Sequence, residues 1–282
     1  MPGTLFVVAT PIGNLEDITL RALRVLREAA VIAAEDTRRT GHLLARHAIA
    51  TPTTSLHEHN EASKSASLVA RLQRGDHIAL VSDAGTPTVS DPGGQLIRQA
   101  IDAGIRVEAI PGPSAVLTAL AASGLPTDAF CFLGFPPARS KERKEWFLRA
   151  GGVVGTVVFF EAPHRIRATL GELYRTVGNC QVAIGRELTK LHEELVRGPI
   201  IDILAGTLEE RGEFTVVAKI GEMTDNTRPP PCSPYELAIE FGRMTINKLS
   251  TKRQAIGVLA RRHGLTPNEI YEALEAAKKS GK

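Results

Sequence analysis

The sequence predicts an α/β protein made of two successive βαβ-patterned regions and a small helical extension. Short apolar runs alternate with segments whose apolar residues recur at helical spacing, the rhythm of parallel strands with helices on the sheet faces. Gly- and Pro-rich loops follow several of those runs, where α/β sheets collect ligands. A proline-rich stretch then separates a basic C-terminal segment from the rest.

Taken in order, Leu5–Ala9 reads as a strand and Ile18–Ala29 as a helix, with Ile18, Leu20, Leu23, Val25 and Leu26 on its apolar side. Val31–Ala34 is a strand, Arg39–His47 and Ser65–Arg74 are helices, and His77–Ser82 is a strand. Gly94–Ala103, Val107–Ile110 and Ala115–Ser123 continue the alternation, which predicts a largely parallel sheet. It breaks near Gly124-Leu125-Pro126-Thr127, placing a domain boundary within residues 118–126 and a first domain over residues 1–120.

A second domain, residues 121–224, carries strands at Phe130–Leu133, Thr156–Phe160, Gln181–Gly185 and Phe214–Ile220, with helices near Lys141–Arg149 and Arg165–Val177. Residues 225–234 read as a linker. The extension, residues 235–282, shows helical patterns at Tyr235–Met244, Lys252–His263 and Pro267–Lys279, with Thr266 as N-cap and Pro267 in the first helical position. It resembles a small helical or helix-turn-helix module.

With 43% apolar and 23% charged residues, the 282-residue chain can bury a sizeable core. Cys131, Cys180 and Cys232 lie far apart with no CxxC spacing, which argues against a disulfide framework or a zinc site and for a reduced, intracellular protein. No basic n-region opens the sequence and no apolar run reaches membrane-spanning length, so a cytoplasmic location is expected. The net charge of +3 is unevenly spread. Residues 232–282 carry nine Lys/Arg against five Glu, a balance of +4, while the remainder stands at −1. That suits a tail touching a polyanion and equally a solvated tail.

Three loops carry the chemistry-bearing composition: Thr10-Pro11-Ile12-Gly13-Asn14-Leu15; Ser82-Asp83-Ala84-Gly85-Thr86-Pro87, running on through Ser90-Asp91-Pro92-Gly93-Gly94; and Ile110-Pro111-Gly112-Pro113-Ser114-Ala115. Glycine admits close backbone approach to a ligand and proline holds a loop in one shape. There is no GxGxxG after the first strand, no GxxxxGK[ST], no HExxH and no GxSxG, which disfavours an ordinary Rossmann cofactor site, a P-loop, a zinc protease and a serine hydrolase.

These loops, together with Ala34-Glu35-Asp36-Thr37-Arg38 and Phe160-Glu161-Ala162-Pro163-His164-Arg165, resemble the signature blocks of the tetrapyrrole-methylase superfamily. Within it they are most similar to the branch that methylates the ribose 2′-oxygen of a cytidine in 16S rRNA. The resemblance runs from Gly3 to about Gly221. It implies two α/β domains with S-adenosylmethionine in the cleft between them, a homodimer, and as target the cytidine at position 1402 of 16S rRNA in the small ribosomal subunit; nothing in it requires a metal. Porphyrinoid enzymes of the superfamily typically carry Gly-Gly-Asp-Pro in the second loop, where this chain has Ser82-Asp83-Ala84-Gly85-Thr86-Pro87. That departure disfavours the alternative of a tetrapyrrole or diphthamide-type methylase. The intact Gly/Pro loops disfavour a non-catalytic ribosome-assembly protein.

Cofactor contacts are therefore expected from Thr10, Pro11, Gly13, Asp83, Ala84, Gly85, Thr86, Ser114 and Ala115, faced by Phe160, Glu161 and Ala162. Glu35, Asp36 and Asp83 are the candidate catalytic acids, with alignment expected to outweigh a dedicated base among them. The alternative reading of Asp36 is as the cap of the next helix. Arg38, Arg39, Arg139, Lys141, Arg143, Lys144, Lys252 and Arg253 are candidate phosphate contacts, with a solvated face as the alternative for the run at 139–144. Trp146 and Phe147 read as helix core, and His164 as structural.

Overall fold

The computed structural model describes residues 1–150, 155–220, 237–238, 241, 245, 252–263 and 266–280. They fall into two compact units, Met1–Glu222 and Met223–Lys282.

The first unit contains two five-stranded sheets. The first is wholly parallel, built from β1 (Thr4–Val8), β2 (Val31–Ala34), β3 (Thr53–Ser55), β4 (Ile78–Val81) and β5 (Arg106–Ile110) in the order β3-β2-β4-β1-β5. Strand alternation assigns its residues to two helix layers. Val8, Ile32, Ala34, Ala79 and Val81 pack beneath α1 (Leu20–Glu28) and α2 (Thr37–Arg46). Leu5, Val7, Val31, Ala33, Ile78 and Leu80 pack against α3 (Glu61–Gln73) and α4 (Gly94–Asp102). Burial on both faces explains the unbroken apolar runs of the inner strands. Because all five strands are parallel, their C-terminal ends, and the loops that leave them, lie along one edge.

From β5 the chain enters α5 (Ala115–Ser123), which packs through Val116, Ala119 and Leu120 on the second sheet, against Val158, Ala183 and Val217. That sheet has the order β6-β7-β10-β8-β9, from β6 (Phe130–Phe132), β7 (Gly155–Glu161), β8 (Gln181–Arg186), β9 (Glu194–Pro199) and β10 (Phe214–Ile220). Its opposite face is covered by α6 (Ser140–Ala150), α7 (Ile166–Val177) and α8 (Ile200–Ala205) over Val157, Phe159, Val182, Ile184, Val216 and Ala218.

The expectation of parallel pairing holds for the first sheet and fails for most of the second. β6 and β7 are parallel, but β10 pairs antiparallel with both β7 and β8, and β8 and β9 form an antiparallel hairpin. The hairpin needs no crossover helix between its strands, so the helix–strand alternation stops there.

In the second unit, helices Lys252–His263 and Pro267–Ser280 pack Leu259 and Ala260 against Ile270 and Leu274, joined by Leu237. Thr266 caps the second helix as expected. Its Oγ1 accepts the Glu269 N–H, and the Glu269 carboxylate accepts the Thr266 N–H at 2.6 Å, a reciprocal capping box. The 225–234 linker and most of the Tyr235–Met244 helix lie outside the described residues. No described helix is long and apolar enough to cross a membrane.

Candidate functional site

The C-terminal ends of β1, β2, β4 and β5 open onto a cavity of about 350 Å³. Its near wall comes from these strand ends: Ile12, Glu35, Arg39, Asp83–Thr86, Val89–Asp91 and Ser114–Val116. Its far wall comes from the second sheet: Phe160–Pro163, Leu188 and Gly212–Thr215. Pockets of this size with mixed lining are typical small-molecule sites.

The loop after β4 is fastened at both ends. Thr10 and Gly85 exchange two backbone hydrogen bonds, at 2.9 and 3.0 Å, and the Thr10 hydroxyl donates to the Ser82 carbonyl. At the other end Gly93, at φ 117°, precedes α4 and brings no capping side chain. Glu61, at the start of α3, supplies the cap instead. Its Oε1 accepts the Gly93 N–H at 3.1 Å and the Gln95 N–H at 2.6 Å, a carboxylate at the positive end of a helix. Between these fastenings Thr88 and Ser90 hold left-handed φ angles of 72° and 68°. Such non-glycine conformations persist where surrounding structure enforces them, and they gather at ligand sites.

Among the expected cofactor residues, Asp83, Ala84, Gly85, Thr86, Ser114, Ala115, Phe160, Glu161 and Ala162 all line the cavity. Thr10 and Pro11 are buried behind it, and Ile12 reaches the wall in their place. Gly13 faces elsewhere. A Cβ there would stand 2.5 Å from Lys190 Cγ and 2.9 Å from the Leu188 carbonyl, so it is small to admit the loop after β8. Asn14 and Thr189 join the same two loops through an N–H to Oγ1 bond of 3.0 Å. Glu161 is a wall whose carboxylate is held by the Thr169 hydroxyl and Arg165. His164 is exposed and does not line the cavity.

The candidate acids separate. Asp36 is not in the cavity wall. Its carboxylate caps α2 by accepting the Arg38 N–H at 2.8 Å and clasps the Arg38 guanidinium, contacts that hold it far below the usual carboxylate range. Asp83 lies at the cavity, accepting the Asp36 N–H at 2.9 Å and pairing with Arg39 at 3.3 Å. Glu35 accepts the Asp83 N–H at 3.4 Å, and burial raises its carboxyl above the ordinary value. A third acid, Asp91, completes the cluster; burial and then the Glu35 charge push it up to about 6. Asp91 was not among the acids expected from the sequence, although a second acid eight residues beyond Asp83 in one Gly/Pro loop is a usable signal. Leu188 and Gly212–Thr215 gave no signal, because nothing local marks them as facing a ligand.

The candidate phosphate contacts also divide. Arg39 lines the cavity and is exposed; Arg38, Arg139, Lys141, Lys144 and Lys252 are exposed as well. Arg143 departs from the expectation. It is buried between Glu172 and the carbonyls of Pro137 and Ala138, so its guanidinium ties α6 to α7. The Arg253 side chain lies outside the described residues. Phe147 is fully buried against Trp146 and Phe159, as helix core.

Residues 4–204 match the family described as Tetrapyrrole (Corrin/Porphyrin) Methylases. The chain is 40% identical over 279 residues to the ribosomal RNA small subunit methyltransferase I of Pasteurella multocida, covering 96% of each chain. It is 41% identical over 279 residues to that of Escherichia coli O157:H7, covering 97% of this chain and 95% of the relative. Among solved structures it is similar to a diphthine synthase (TM-score 0.61, 15% identity, 77% of this chain and 90% of that one). It is also similar to a Thermus thermophilus uroporphyrin-III C-methyltransferase complexed with S-adenyl homocysteine (TM-score 0.55, 22% identity, 78% and 97%). At those identities the structural likeness speaks for the fold. The family match spans well over half of the sequence, and the chain belongs to the tetrapyrrole (corrin/porphyrin) methylase family.

Proposed function

We propose that this chain transfers a methyl group from S-adenosylmethionine to the ribose 2′-oxygen of a cytidine in 16S rRNA of the small ribosomal subunit. The observation that carries the reading is the 40% identity to a ribosomal RNA small subunit methyltransferase I across 96% of both chains. The second loop, Ser82–Pro87, and the basic balance of residues 232–282 support RNA over a porphyrinoid substrate.

The cavity fits this cofactor by its chemistry. Ile12, Val116, Phe160 and Leu188 offer apolar walls for a flat base, and the carboxylates of Glu35 and Asp83 suit a ligand bearing an ammonium and a sulfonium. When bound, the cofactor supplies a methyl group already activated by positive sulfur. The protein's own part is to bind, align and exclude water. Asp83 is fixed by the Asp36 amide and Arg39, so its charge is preorganised. Arg39 and Arg38, exposed at the start of α2, are placed to meet phosphate. Arg139, Lys141 and Lys144 are further phosphate contacts in this reading, the basic C-terminal segment contributes contacts of its own, and the active form is a homodimer.

Small subunits lacking the modification, incubated with tritiated S-adenosylmethionine and then digested to nucleosides, are expected to yield labelled 2′-O-methylcytidine. Label on a base or on a porphyrinoid, or none on RNA, overturns the reading.

A further inference from the structure

The acids of the cavity differ in how far the fold already uses them. Asp83 has one oxygen on the Asp36 amide and the other on Arg39. Glu35 receives the Asp83 amide. Asp91 has the Ser82 hydroxyl beside it, and among the described residues no lysine or arginine pairs with it. It sits in the wall immediately after Ser90, in the loop that Glu61 and the Thr10–Gly85 bridge hold in place. A carboxylate with spare acceptor capacity, on a backbone the fold holds rigid, is suited to receive a proton from a bound substrate.

We infer that Asp91 is a catalytic residue, the base that takes the proton from the hydroxyl being methylated. The inference rests on the methyl-transfer reading above and adds a role to one residue of that site. In the step, an electron pair on the ribose oxygen forms the new O–C bond. The S–C bond breaks and leaves its pair on sulfur as a neutral thioether, and the O–H proton passes to a carboxylate oxygen of Asp91, from which solvent removes it. The charged groups that line the cavity with Asp91 are Glu35 from the end of β2, Asp83 from its own loop, Arg39 from α2, Glu161 from the end of β7 and Glu213 ahead of β10. Glu161 is tied to Arg165 and Thr169, and Glu213 to Lys190. Burial and the Glu35 charge raise the Asp91 carboxyl to about 6, which makes its anion a stronger base than an ordinary carboxylate while leaving it ionised at neutral pH.

The test measures single-turnover methylation of unmodified small subunits from pH 5 to 8, with cofactor affinity by calorimetry, for the full-length wild type, Asp91→Asn and Asp91→Glu. Wild type should lose rate about tenfold per pH unit below about 6. Asp91→Asn should bind the cofactor within a few-fold of wild type, react roughly 10²–10⁴-fold more slowly, and lose that pH dependence. Asp91→Glu should recover part of the rate and the pH dependence with it. An Asp91→Asn variant less than about tenfold slower, or one that keeps the wild-type pH profile, overturns the inference. So does a loss fully accounted for by weakened cofactor binding. A wild type that binds no cofactor and methylates no subunits removes the reading beneath it, a result distinct from either.

Discussion

A carboxylate set into a cavity wall, as Asp91 is, binds its proton more tightly in the folded chain than in the unfolded one. Burial pushes its carboxyl up to about 6, above the 3.8 of an ordinary aspartate. The stability this contributes is therefore complete below about pH 4 and is lost as pH rises through 6. At pH 7 the ionised group works against the fold. Solvent reaches this partly exposed group and keeps that penalty to about 1 kcal/mol. Asp91→Asn is accordingly expected to be more stable than wild type by about 1 kcal/mol at pH 7, with the difference gone by pH 4, in denaturant melts at the two pH values. A variant no more stable than wild type at pH 7 would show that the site accommodates the charge freely. At this scale the sequence was informative where chemistry is local. Asp36 precedes a helical pattern and caps it, one of the two readings its position offered. Asp91 shares its cavity with residues as distant in sequence as Thr215, and its burial could not be read from its neighbours.

Between elements, α6 and α7 share an apolar core and one buried ion pair. The side chains of Arg143 and Glu172 are 10% and 8% exposed, and Ser140 also donates to Glu172. Removing one partner strands a buried charge, so Arg143→Ala should cost about 3–5 kcal/mol in urea unfolding. Lys144→Ala, one residue along on the exposed side, should stay within about 0.5 kcal/mol. Equal effects would return Arg143 to the solvent-facing basic run in which composition placed it. The strands missed from sequence share one property. β3 is three polar residues at a sheet edge, and β9 is an edge strand ending in Arg-Gly-Pro, so neither shows the alternation that burial imposes. The inner strands, buried on both faces, were plain. Direction of pairing was not, because an apolar run carries no mark of its neighbour's polarity.

At the scale of the whole molecule, Met1–Glu222 has its own cores and holds every residue of the cavity. A chain ended at Glu222 should therefore fold and bind S-adenosylmethionine with unchanged affinity while losing most of its activity on small subunits. The residual activity should depend less steeply on salt, since phosphate contacts have been removed. Full activity in the shortened chain would assign the +4 segment a role other than docking. The two fastenings of the β4 loop have a consequence in time. A loop left free must be ordered at each encounter, which slows capture of the ligand and draws on its affinity. Here the Glu61 clasp and the Thr10–Gly85 bridge settle that ordering once, when the chain folds. Each turnover then begins with this loop already in place, and its ordering adds no step to cofactor exchange.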